Sequence, residues 1–125
     1  MKIISLFFAA LLFSSSSFSA NQPLQVVFNG CEPTEVISHD SSCGGGADAK
    51  NTACRDNNGP VRWSPLSSIR EITQKAGSPG SLHNCNRHEN QGYLQCIVTG
   101  NSGDQVAYNV TSSDGCILDP IIIIN

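Results

Sequence analysis

Six cysteines, Cys31, Cys43, Cys54, Cys85, Cys96 and Cys116, constrain this 125-residue chain more than any other feature it carries. In a reducing compartment such a set serves as metal ligands or buried thiols, whereas in an oxidising one it becomes a framework of cross-links. Where the chain folds therefore decides what it can fold into, and its N-terminus speaks to that question. Lys2 supplies a positive charge, Ile3 to Phe13 is an apolar run interrupted only by Ser5, and Ser14 to Ala20 is rich in small residues. This is the pattern of a secretory signal peptide. Its apolar core of about eleven residues is too short for the roughly 20 needed to span a bilayer. Residues 1–20 are expected to be removed, with no membrane span afterwards, which leaves 21–125 as a single domain, secreted or periplasmic. Ser17 and Ser19 favour a cut just before Ala20, since a cut after it places the bulky Phe18 three residues upstream.

All six cysteines lie beyond the signal, and an even number in an exported domain argues for three disulfides. Six cysteines allow fifteen pairings and the sequence leaves the connectivity open; one arrangement has Cys85 with Cys96 and Cys43 with Cys54 closing local loops and Cys31 with Cys116 tying the ends together. A structural zinc site is the competing use of such residues, but no C-x-x-C spacing is present and the export signal points away from reduced thiols. Only Phe28, Trp63, Tyr93 and Tyr108 remain as aromatics after cleavage. The core must then be small and aliphatic, the situation in which disulfides act as staples.

Charge narrows the function. The net charge is −3 and the basic residues are scattered, so no basic face exists for phosphate contacts and nucleic acid is excluded as a partner.

No internal repeat or linker divides the mature chain. Leu24 to Asn29 and Glu35 to Ser38 are short β-prone runs separated by Gly30 and Pro33. Residues 39–60 are dominated by Gly, Ser, Asn, Asp and Ala, and are expected to form a long surface loop shortened by a local disulfide. Val61-Arg-Trp63 has strand period, with Trp63 expected as the central core aromatic. Residues 65–76 are open between two readings. Pro65 and the Ser68-x-x-Glu71 capping box would start a short helix ending at Gly77, whereas the Thr and two Ile of residues 69–75 suit a strand. Residues 77–92 are polar and expected to form a second long loop. Tyr93 to Thr99 and Gln105 to Thr111 are two further strands, expected to pair as a hairpin across Gly100-Asn-Ser-Gly103. Ser113-Asp-Gly115 predicts a turn, and Cys116 to Ile124 a terminal strand with Pro120 at an edge or bulge and Ile121 to Ile124 buried.

Many short strands with close turn signals predict an all-β fold, a small disulfide-stapled β-sandwich. The succession Val61-Arg-Trp63-Ser64, Gly77-Ser-Pro79, Val106-Ala-Tyr-Asn-Val110 and Leu118-Asp-Pro-Ile-Ile-Ile-Ile124 resembles the strand pattern of small exported bacterial domains with cupredoxin-like or immunoglobulin-like sandwiches. The resemblance implies the fold alone, and under it residues 69–75 become a strand.

Chemistry has few footholds. A blue-copper site needs two His, a Cys and usually a Met, but the mature chain has no Met and its cysteines have disulfide partners, so no metal or cofactor is expected. His83 and His88 flank Cys85 in Leu82-His-Asn-Cys-Asn-Arg-His-Glu89, with His39 elsewhere. These three histidines are the only candidates for acid–base catalysis, as in a small secreted ribonuclease-like hydrolase with Arg87 or Glu89 stabilising charge. No G-x-S-x-G is present, and the Gly44–Gly46 run lacks the Lys and Ser/Thr of a phosphate loop. The reading favoured here is a non-enzymatic exported domain that binds a protein or envelope component through its long loops, 39–60 and 77–92. The alternatives are the histidine hydrolase and a structural component of an envelope or matrix.

Overall fold

The computed structural model describes residues 22–31, 34–38 and 49–125. The N-terminal segment read as a signal peptide, His39 and Cys43 lie outside them. Among the described residues, eleven strands form two sheets that face each other across one core. They are β1 (Leu24–Phe28), β2 (Thr34–Ser38), β3 (Ala49–Lys50), β4 (Thr52–Arg55), β5 (Gly59–Ser64), β6 (Ile69–Gln74), β7 (Ser81–His88), β8 (Tyr93–Thr99), β9 (Gln105–Ser112), β10 (Ile117–Leu118) and β11 (Ile121–Ile124). The larger sheet runs β3-β2-β1-β5-β8-β7. In the smaller sheet β9 is central. β6 lies along one flank and β10 and β11 follow one another along the other, with β4 beyond β11. The fold is the expected all-β, disulfide-stapled one.

Alternation of side chains explains most of this. In β5, β8 and β9 every second residue is buried: Val61 and Trp63, then Leu94, Cys96 and Val98, then Val106, Tyr108 and Val110. Period-2 burial makes each of these strands half of a two-layer core. At the centre, Trp63 from the larger sheet meets Tyr108 from the smaller one edge-on, with ring centroids 5.3 Å apart. The indole Nε1–H donates to the Tyr108 hydroxyl at 3.0 Å. Both side chains are fully buried, so each polar tip satisfies the other and the interior keeps no unpaired donor there. Burial pushes the Tyr108 hydroxyl well above its usual range, which keeps it neutral.

Two disulfides are in place as expected. Cys31–Cys116 joins the end of the β1 segment to the turn before β10, closing a separation of 85 residues and tying one sheet to the other. Cys85–Cys96 cross-links β7 to β8 within the larger sheet. The expected Cys43–Cys54 pair involves a residue outside the described ones.

Several expectations are corrected. Residues 69–74 form β6, and only Leu66–Ser68 makes a 3-10 turn, so the helical reading of 65–76 falls. Within 39–60, expected to be loop, β3, β4 and the start of β5 are strands, and Ala53, Cys54 and Arg55 are buried. The short β4 is recruited by parallel pairing of Thr52 to Arg55 with Ile121 to Ile124, a backbone interaction that its small and polar residues do not announce. Within 77–92, residues 81–88 form β7 instead of a loop. Its polarity is that of an edge strand, exposed on one flank. The terminal strand is split into β10 and β11 at Asp119-Pro120, where Pro120 is buried and donates nothing to a ladder. Along β11 only Ile122 and Ile124 are fully buried, Ile121 and Ile123 being half-buried.

The hairpin is also displaced by one strand. β8 pairs with β7 and β5, not with β9, and the segment Gly100–Asp104 carries the chain from one sheet to the other. Two glycines make the crossing possible. A Cβ on Gly100 would lie 2.5 Å from Ile124 Cδ1 and 3.3 Å from the Gly80 Cα, and one on Gly80 would lie 2.5 Å from Val106 Cγ2. Both crossing segments thus pass close over the end of β9 and β11, with the Gly103 N–H donating to the Ile124 carbonyl at 2.7 Å.

Two outcomes are expected. Tyr108→Phe strands the Trp63 N–H and should lower stability by about 1–3 kcal/mol in urea denaturation with disulfides intact. Because the unfolded tyrosine ionises near pH 10 and the buried one does not, its contribution is complete below that pH and lost above it. Wild-type stability should therefore fall more steeply than the variant's, by about 1.4 kcal/mol per pH unit, beyond pH 10. Separately, replacing Cys31 and Cys116 by serine should cost about 4–5 kcal/mol and replacing Cys85 and Cys96 about 3 kcal/mol, following the 85- and 11-residue separations they close. A reversed ranking in denaturation would contradict the chain-entropy account.

Candidate functional site on the outer face of the larger sheet

The residues singled out for chemistry fall on β7. His83 lies opposite Ile97 and His88 opposite Tyr93, with Asn84 and Cys85 together opposing Cys96. Two residues against one is a β-bulge, and Asn84 takes the positive φ of 52° that it requires. The bulge restores the alternation, so both histidines occupy the outer face of the sheet. They are four β8 positions apart, about 13 Å along the strand. This register does not bring them to one substrate atom, and His39 lies outside the described residues. His88 instead packs its ring on Tyr93, centroids 4.9 Å apart. Arg87, the proposed charge stabiliser, reaches across the open edge to β6. Its guanidinium donates to the carbonyls of Ile69 at 2.8 Å and Arg70 at 3.3 Å, and pairs with Glu89. With Gln74, whose side chain accepts from Leu82 N–H and donates to the Gly80 carbonyl, it stitches the facing edges of the two sheets. That is a structural role.

Two hollows open at one end of the domain. The larger, about 340 Å³, is lined by Phe28, Ser67, Ser68, Ser112, Ser113 and Asp114. Its hydroxyls serve the fold: Ser113 Oγ donates to the Ser67 carbonyl, and Ser112 Oγ accepts from Cys116 N–H. The other, about 270 Å³, lies between the 3-10 turn and Arg87. Among the described residues no group of three His, Cys, Asp or Glu side chains is placed to hold a metal.

The outer face of β5, β8 and β7 is different. Arg62 stands there between the inward-facing Val61 and Trp63. Its Nε–H donates to Gln95 Oε1 at 2.7 Å, and its guanidinium carbon sits 4.8 Å from the Tyr93 ring centroid. A ladder Arg62, Tyr93, His88 results, with Gln95 beside it. Each of the other lysines and arginines among the described residues has an oxygen partner for its terminal amino groups. Lys50 pairs with Glu35, Lys75 with Asp119, and Arg55, Arg70 and Arg87 donate to carbonyls. Among these residues Arg62 alone shows no hydrogen bond or ion pair from its terminal amino groups. A guanidinium held at Nε and lying against an aromatic ring, with its outer N–H groups open, is pre-organised to take a carboxylate in a two-pronged hydrogen bond.

Sequence reading passed over Arg62 because it looked at Trp63 for the core and at the histidines for chemistry. The usable signal was the alternation Val61-Arg-Trp63 set beside Tyr93-Leu-Gln95, which puts Arg, Tyr and Gln on one face once the two strands are paired.

Gln95→Ala should leave stability within about 0.5 kcal/mol, as for a surface site, yet release Arg62. The Arg62 Nε–H resonance should be visible and protected in the wild type, and should broaden or vanish in the variant. An unchanged resonance would mean that Gln95 does not hold the guanidinium. Set against known proteins, the chain matches no protein-family model, no curated protein and no solved structure.

Proposed function

We propose that this chain is an exported, non-enzymatic binding domain that recognises a component of the cell envelope or the extracellular space through the outer face of β5, β8 and β7. The disulfides point to an oxidising environment. The observation that carries the binding reading is Arg62, oriented by Gln95 and Tyr93 and without a counter-charge among the described residues. A charge held on a rigid strand by one hydrogen bond, with its terminal N–H groups unused, contributes little to folding and is suited to a ligand. The distance between His83 and His88 along the sheet weighs against a paired acid–base mechanism. The recognition surface is thus assigned to a sheet face, with the Glu89–Gly92 turn at its rim.

The expected result of NMR titration of the mature protein with solubilised surface material from its native host is a set of shifts centred on Arg62, Tyr93, Gln95 and His88. Shifts confined to the outer face of β6 and β9, or turnover of a substrate that disappears on His83→Gln, would sink the proposal.

A further inference from the structure

Building on that reading, we infer that the Arg62 face is a carboxylate-recognition site for an acidic polysaccharide, one whose sugar rings carry uronate groups. Three features of the surface select this partner. First, the row Arg62, Gln95, Asn86 runs straight across three strands by backbone register and covers about 10 Å. Its members offer complementary polar groups. Arg62 has its terminal N–H groups, and Gln95 keeps its amide N–H₂ because its oxygen already accepts from Arg62. Asn86 keeps its amide oxygen because its Nδ2 donates to the Asn84 carbonyl at 3.1 Å. A carboxylate on the guanidinium with neighbouring sugar hydroxyls on the two amides uses every one of these groups.

Second, the face lacks what a protein partner needs. Ile117 is the only large apolar side chain that is exposed among the described residues, and it lies on β10 in the other sheet. On the Arg62 face Ile97 and Tyr93 are both half-buried, and the Tyr93 ring is already packed against Arg62 and His88, so neither stands free to fill a partner's pocket. The nearby edge also refuses an added peptide strand, since β7 is interrupted by the bulge at Asn84 and Cys85 and cross-linked to β8 there. A hydrated, hydroxyl-rich chain lying flat needs neither an apolar pocket nor a strand edge.

Third, charge limits the class of polyanion. The protein carries a net charge of −3, and Arg62 is a single open cation. A nucleic acid, which presents a phosphate at every residue and needs many cations to displace its counterions, is not matched by one arginine. A polyuronate also carries a charge at every residue, so one arginine does not hold it by charge; what sets it apart is that each ring bears hydroxyls beside its carboxylate, which the Gln95 and Asn86 amides meet while Arg62 takes the carboxylate.

The test is calorimetric and NMR titration of the mature, disulfide-bonded protein with oligogalacturonate at low salt. Fully methyl-esterified oligogalacturonate serves as the uncharged control and poly-glutamate as the acidic peptide. The expected result is binding of the free uronate that weakens about tenfold or more on esterification, weakens similarly in Arg62→Gln, and is partly retained in Arg62→Lys. Unfolding curves of the variants should match the wild type. Equal binding of the esterified and free forms, undiminished binding by Arg62→Gln, or poly-glutamate bound as tightly as the uronate would each overturn the inference. Absence of binding to all three would overturn it as well, while shifts from native surface material mapping to Arg62 would still uphold the broader binding role.

Discussion

The contact between Trp63 and Tyr108 is the interaction on which the rest of this domain depends. Here the only tryptophan meets a fully buried tyrosine, one from each sheet, and the contact satisfies two polar groups within a core cluster that is otherwise mostly aliphatic. Around it the core is filled mostly by Val, Leu and Ile, against which the indole and phenol pack edge to face. A buried tyrosine hydroxyl accepts this arrangement because it is neutral at any ordinary pH and has a donor aimed at it.

From that centre the outer face inherits its precision. Trp63 is locked inward, so Arg62, one residue before it, is held outward, and pairing of β5 with β8 puts Gln95 directly opposite. Arg62, Tyr93 and Gln95 therefore stand on the backs of core strands, the stiffest part of a sandwich. The edge of the same sheet is finished by a bulge, a disulfide and two bridging side chains, Gln74 and Arg87, which close the seam between β6 and β7 without a continuous backbone ladder. A sheet closed in this way presents its face and hides its rim, a combination that suits a binding domain better than an assembling one.

Strands whose burial alternates were readable in advance: β1, β2, β5, β8 and β9 fall within a residue or two of expectation, because period-2 patterning reports directly on a two-sided environment. The strands that escaped were those whose sequence does not carry that pattern. β4 is short, and all but its first residue is buried, held by parallel pairing to β11. β7 lies at an edge, where solvent on one flank and a bulge in the middle erase the alternation. The misplaced hairpin has the same root. Tyr93 to Thr99 and Gln105 to Thr111 look alike whether they pair side by side or face each other across the core, since both arrangements bury the same alternate residues.

By itself the sequence determined the class of fold, the use of its cysteines as cross-links and the role of Trp63 as central aromatic, while the pairing of the cysteines was one choice among fifteen. These are local matters of period, loop length and side-chain size, and each can be weighed along the chain. Only the tertiary structure decided which strands are neighbours, how far apart His83 and His88 lie, and that Arg62, Tyr93, Gln95 and His88 share one surface. Partners in a sheet are chosen by contacts between residues distant in sequence, and a site made from the faces of three strands does not exist until those strands have found one another.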